Sequence, residues 1–109
     1  MRHINLLLIV LFISIMNIHA QDSAFASSTS IELKTSSGTI YGTLLVPTNI
    51  HSKIPVALII AGSGPTDRDG NNPVMKNNSL KLLAESLAQK GIASIRYDKR
   101  GVGVSKQAA

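Results

Sequence analysis

The sequence predicts an α/β domain, an antiparallel hairpin followed by one strand–helix–strand unit. Three observations carry this. Ile31-Glu32-Leu33-Lys34-Thr35 alternates apolar and polar with period two, as a half-buried strand does. Val56 to Ala61 is a continuous apolar run that breaks abruptly into Gly62-Ser63-Gly64-Pro65, the pattern of a strand buried on both faces in a parallel sheet. Leu80, Leu83, Ala84 and Leu87 recur at i, i+3, i+4 and i+7, one apolar stripe of a helix.

In chain order, the first segment is a leader. Met1 to His3 is a short basic start, Ile4 to Met16 is almost wholly apolar, and Ile18-His19-Ala20 closes on a small residue. That is the three-part layout of a secretory signal peptide. The apolar run falls short of the roughly 20 residues that span a bilayer, so no stable membrane anchor is expected. Cleavage is expected after Ala20, with Ala24-Phe25-Ala26 as a second site, and the product is expected in the periplasm or outside the cell. The chain has no cysteine, which excludes both a lipid anchor and a disulfide.

Gln21 to Ser30 is rich in Ser, Ala and Thr and reads as a flexible lead-in to a domain over residues 31–109. Ser36-Ser37-Gly38 supplies a hairpin turn, with glycine where a left-handed residue is needed. Thr39 to Val46 is the second strand, stopped by Pro47, and Thr48 to Pro55 is a polar connector. After the third strand, the loop from Gly62 to about Asn78 is long for a compact domain, which favours a functional role. Ser79 or Asn78 can cap the helix by accepting a first-turn N–H, and Gly91 is its stop. Ile92 to Tyr97 is the fourth strand, and Asp98 to Ser105 a glycine-rich turn.

Charge does not point to nucleic acid. The net charge of +5 is spread along the chain in no block, and two Tyr and two Phe offer little for base stacking. A solvated basic surface is therefore expected, with no nucleic acid as partner. Asp67, Asp69 and Asn71 copy the first three ligand positions of a calcium loop. Asn72 and Asn78 occupy the positions that require glycine and glutamate, so no metal site is read here. Gly62-x-Gly64 hints at a dinucleotide fingerprint, but its third glycine position is Asp67.

The strand ending in AGSGPTDRDG, the helix, and the strand ending in YDKRGVGVS, preceded by the hairpin, resemble the N-terminal part of an α/β-hydrolase. The likeness is to secreted bacterial serine esterases related to serine-aminopeptidase-like hydrolases, and it covers roughly Ile31 to Lys106. It implies a truncated α/β-hydrolase sheet, with the fourth strand between the second and third and the third pairing onward to a fifth. It implies an ester substrate for the complete parent protein, with peptide or amide cleavage as the alternative, and no cofactor. Matching AGS to the family's turn implies that Ser63, with Gly64 beside it, offers a backbone N–H to an oxyanion hole. The alternative is that Gly62 and Gly64 merely turn the chain. Asp67, Arg68 and Asp69 are expected to structure the loop, and Asp98 and Arg100 to pin the turn after the fourth strand.

The catalytic engine is missing from this stretch. A nucleophile elbow reads G-x-S-x-G, and the triad then runs Ser, Asp or Glu, His. Gly103-Val104-Ser105-Lys106-Gln107 lacks the closing glycine, and no acid or histidine follows Ser105. Beyond the leader, His51 is the one histidine, and it precedes Ser63 and Ser105. The leading expectation is thus an N-terminal fragment of an exported serine hydrolase. The alternatives are a small secreted binding module using the Gly62–Asn72 loop, or a nonfunctional remnant. An unpaired third-strand edge is expected to promote self-association.

Overall fold

The computed structural model describes residues 24–108. The expected leader, residues 1–20, and positions 21–23 and 109 lie outside the described residues. Four strands form one mixed sheet: β1 (Ala26–Thr35), β2 (Gly38–Pro47), β3 (Val56–Ile59) and β4 (Ala93–Tyr97), in the order β1-β2-β4-β3. β1 and β2 form the antiparallel hairpin, β4 pairs antiparallel with β2, and β3 pairs parallel with β4. The helix α1 (Ser79–Gln89) connects β3 to β4.

Register decides what each face carries, because directly paired residues point to the same side. Leu45 and Ala57 flank Ser94, and Thr43 and Ile59 flank Arg96. On this face α1 lays Ala84 and Ala88 against Leu45 and Ile59, with Leu80 and Leu87 at the margins. Alanines at the contact let the helix axis approach the sheet closely. On the other face Leu44, Ile95 and Leu58 form one row, and Ile31, Gly42 and Tyr97 the next. That face has no helix over it among the described residues, and an apolar groove of about 580 Å³ runs between Leu33, Ile40, Leu58, Ile95 and Tyr97.

Four expectations are corrected. β1 begins at Ala26, five residues earlier than the alternation indicates, so residues 26–30 are strand and not lead-in. The reason is the partner: β2 runs to Pro47, and its ladder pairs through Ser27–Val46 to Ala26–Pro47. Ser27 to Ser30 stay exposed on the sheet edge, so they show no apolar alternation to read. β3 is buried on one face only. Ile59 and Ala61 are buried, whereas Val56, Leu58 and Ile60 are each more than half exposed.

The helix differs in two details. Leu83 is 46% exposed and Ala88 takes its place in the buried stripe, because the close contact is built on the 84/88 pair. Neither Ser79 nor Asn78 caps α1 with its side chain. Asn78 sits in the left-handed region, φ +53°, and its Oδ1 accepts from Asn71 Nδ2. The first-turn N–H groups of Leu80 and Lys81 instead donate to the backbone carbonyl of Asp69. At the other end Gly91, φ +78°, donates to the Ala88 carbonyl while Ile92 donates to Leu87, satisfying the last carbonyls as in a Schellman turn.

Candidate functional site

The glycine loop leaves the sheet at the C-terminal end of β3, the end at which open α/β sheets bind ligands. Ala61 is buried as the last anchored residue, and Gly62, Ser63, Gly64 and Pro65 are exposed. Gly64 needs its glycine for the backbone, at φ +83°. Gly62 does not, and a Cβ there would meet nothing within 4 Å. Among the described residues no acceptor meets the N–H of Ser63 or of Gly64. These are the donors that the sequence singles out.

The loop's carbonyls are held. Lys99 Nζ donates to the Gly62 carbonyl at 2.5 Å and to the Gly64 carbonyl at 2.6 Å. A trans peptide points its C=O and N–H in opposite directions within one plane, and no peptide among the described residues is cis. Fixing the Gly62 carbonyl therefore turns the Ser63 N–H away from Lys99. The Gly64 carbonyl shares its plane with Pro65, which has no N–H.

Beyond Pro65 the chain is organised by Asx chemistry. Asp67 Oδ1 accepts the N–H groups of Asp69 and Asn71, both at 2.9 Å, and the Asp67 N–H donates to the Asn71 carbonyl at 2.8 Å. Asn71 Oδ1 accepts from the N–H groups of Asn77 and Asn78, and Asn72 Oδ1 from Val74 and Met75. Gly70 sits against Ser79 and Leu80, too close for a side chain, so the loop packs on the start of α1.

Two arginines fasten this loop to the sheet. Arg68 donates Nη2 to Asp98 Oδ2 at 3.0 Å, Nη1 to Thr43 Oγ1 at 3.0 Å, and its own N–H to Asp98 Oδ1 at 2.8 Å. Asp98 Oδ2 also accepts the Val104 N–H at 2.9 Å. Burial pushes the Asp98 carboxyl up, but the Arg68 guanidinium and the N–H groups of Arg68 and Val104 outweigh it. The carboxyl is held below its ordinary value. Arg96, 5% exposed on the helix face, donates Nη1 to Asp69 Oδ1 at 2.7 Å.

The turn after β4 thus points three consecutive side chains at three segments. Asp98 goes to the Arg68 loop, Lys99 to the glycine loop, and Arg100 to Thr35 and Ser37 in the hairpin turn. Ser105 closes the turn in the short 3₁₀ segment Gly103–Ser105. It is fully buried, and its Oγ accepts the Tyr41 N–H at 2.9 Å. Sequence reasoning missed Lys99 and Arg96. A cation alternating with Ser94 in an apolar strand was the available signal for Arg96. For Lys99 there was only its place beside Asp98.

No nucleophile–base pair forms among these groups. Ser105 is locked to β2, and His51 lies exposed in the connector before β3, with the strand between it and the glycine loop. What the site offers chemically is a pair of unpartnered N–H donors on a braced, exposed turn.

Neither a protein-family model nor a curated protein matches the chain. Among solved structures the chain is similar to a cold-adapted esterase from an Arctic intertidal metagenomic library, determined as a PEG-bound complex. The two share 20% identity at a TM-score of 0.54, over 73% of this chain and 30% of the esterase. The chain therefore spans under a third of that enzyme's length, and the likeness is one of fold.

Proposed function

We propose that this segment is the N-terminal sheet and oxyanion loop of a serine ester hydrolase of the α/β-hydrolase superfamily. The observation that carries it is the braced glycine turn at the C-terminal end of β3, where Ser63 and Gly64 keep their N–H groups unpartnered. Acyl transfer places negative charge on the substrate carbonyl oxygen, and preorganised N–H donors stabilise it. Losing one such donor typically costs about a hundred- to a thousandfold in rate. The similarity in fold to an esterase supports the same reading. The substrate is a carboxylic ester, and the signal-peptide layout of Met1–Ala20 supports an exported location.

The test is the reading frame after the Ala109 codon, together with the activity of its product. An in-frame continuation carrying G-x-S-x-G and a later histidine, whose product hydrolyses a short-chain aryl ester, supports the reading. A stop codon at that point, or a continued product that cleaves no ester, overturns it.

A further inference from the structure

We infer that Lys99 is the positioning residue of the glycine loop, selecting the Ser63 N–H as the oriented donor. The inference deepens the ester-hydrolase reading and rests on it for its catalytic consequence. Its structural part stands on geometry alone. One ammonium spans two carbonyls, Gly62 O at 2.5 Å and Gly64 O at 2.6 Å. An ammonium carries three donors and bonds to it are charge-assisted, so a single side chain can hold both acceptors at once.

The clamp discriminates between the two candidate donors. The peptide plane of Gly62 and Ser63 is held by its carbonyl, so the N–H at its other edge is fixed in direction. The Ser63–Gly64 plane has no such hold, because neither contact from Lys99 reaches the Ser63 carbonyl. The second contact, on Gly64, fixes a plane that ends in Pro65 and presents no donor. The Gly64 carbonyl also accepts the Thr66 N–H at 2.9 Å, so that plane has a hold besides Lys99. Both glycines leave open space around the loop, so packing does not supply the rigidity of the Gly62–Ser63 plane. Lys99 does. Preorganisation of this kind makes a donor effective without reorganisation during reaction.

The experiment uses the full chain labelled with ¹³C and ¹⁵N. In the wild type, couplings across hydrogen bonds are expected between Lys99 ¹⁵Nζ and the ¹³C′ nuclei of Gly62 and Gly64, with a rigid Ser63 amide by heteronuclear NOE. Lys99→Met is expected to shift both carbonyl signals and to loosen Ser63 more than Gly64, and Lys99→Arg to restore the Ser63 NOE. Unchanged carbonyl shifts and Ser63 NOE in a folded Lys99→Met protein would overturn the clamp. If that variant does not fold, absence of the couplings in the wild type does so instead.

In a protein carrying this segment and hydrolysing ester, Lys99→Met is expected to lower kcat on the order of ten- to a hundredfold, short of losing the donor outright, with KM nearly unchanged. Unchanged kcat with a loosened Ser63 would overturn the positioning role. Absence of ester turnover in the in-frame continued protein that carries this segment would sink the hydrolase reading, while the couplings would still decide the clamp.

Discussion

Arg68 meets Asp98 twice, with its backbone N–H on Oδ1 at 2.8 Å and its guanidinium on Oδ2 at 3.0 Å. The pair ties the loop after β3 to the turn after β4, and both side chains are largely shielded, 15% and 4% exposed. Removing one partner would leave a buried charge uncompensated.

Arg68→Ala is therefore expected to destabilise the domain by about 3–5 kcal/mol, the range for breaking a buried pair. Urea denaturation followed by circular dichroism measures this. An unchanged midpoint would show that water replaces the guanidinium without cost.

The same carboxylate makes stability depend on acid. The Asp98 carboxyl is held below its ordinary value in the folded chain. On acidification the unfolded chain thus takes up the proton first. The contribution is present above the unfolded aspartate value, about pH 4, and is lost as pH falls through the lower folded value. Urea midpoints measured between pH 7 and about pH 2 should fall in that acid window, less steeply in Asp98→Asn. Parallel curves for the two proteins would assign the acid sensitivity elsewhere.

Ser105 is expected to act in folding and not as a nucleophile. Its Oγ is the acceptor for the Tyr41 N–H, so Ser105→Ala should cost about 1–3 kcal/mol for an unsatisfied buried donor. Ester turnover by the 109-residue chain itself is expected to equal buffer. Saturable turnover that Ser105→Ala abolishes would reverse this assignment.

Ser63 is expected to contribute its backbone. In a protein carrying this segment and hydrolysing ester, Ser63→Ala should keep most of kcat/KM, because the N–H survives loss of the hydroxyl. A fall of about a hundredfold or more in a normally melting variant would point to the side chain.

Among the described residues β3 has a neighbour on one side only, β4, and Leu58 is 59% exposed on the uncovered face. Unpaired apolar edges promote association. Size-exclusion chromatography should show self-association that Leu58→Lys reduces. An unchanged elution volume would place the contact on another surface.

By itself the sequence determined the hairpin, the apolar third strand and the helix, because each rests on local periodicity or on glycine and proline at element ends, whereas the strand order was implied only by the family resemblance. Tertiary structure decided the rest. Ser27 to Ser30 become strand through the reach of β2 and not through their own pattern. The helix start is capped by the Asp69 carbonyl, ten residues before α1 begins at Ser79, since a backbone carbonyl leaves no signature in residue types. The same holds for the glycine loop. Its position was legible in Gly62-Ser63-Gly64-Pro65, but its brace, Lys99, lies 35 residues beyond Gly64. Only the parallel pairing of β3 with β4 sets both strand ends side by side and brings that ammonium to the carbonyls.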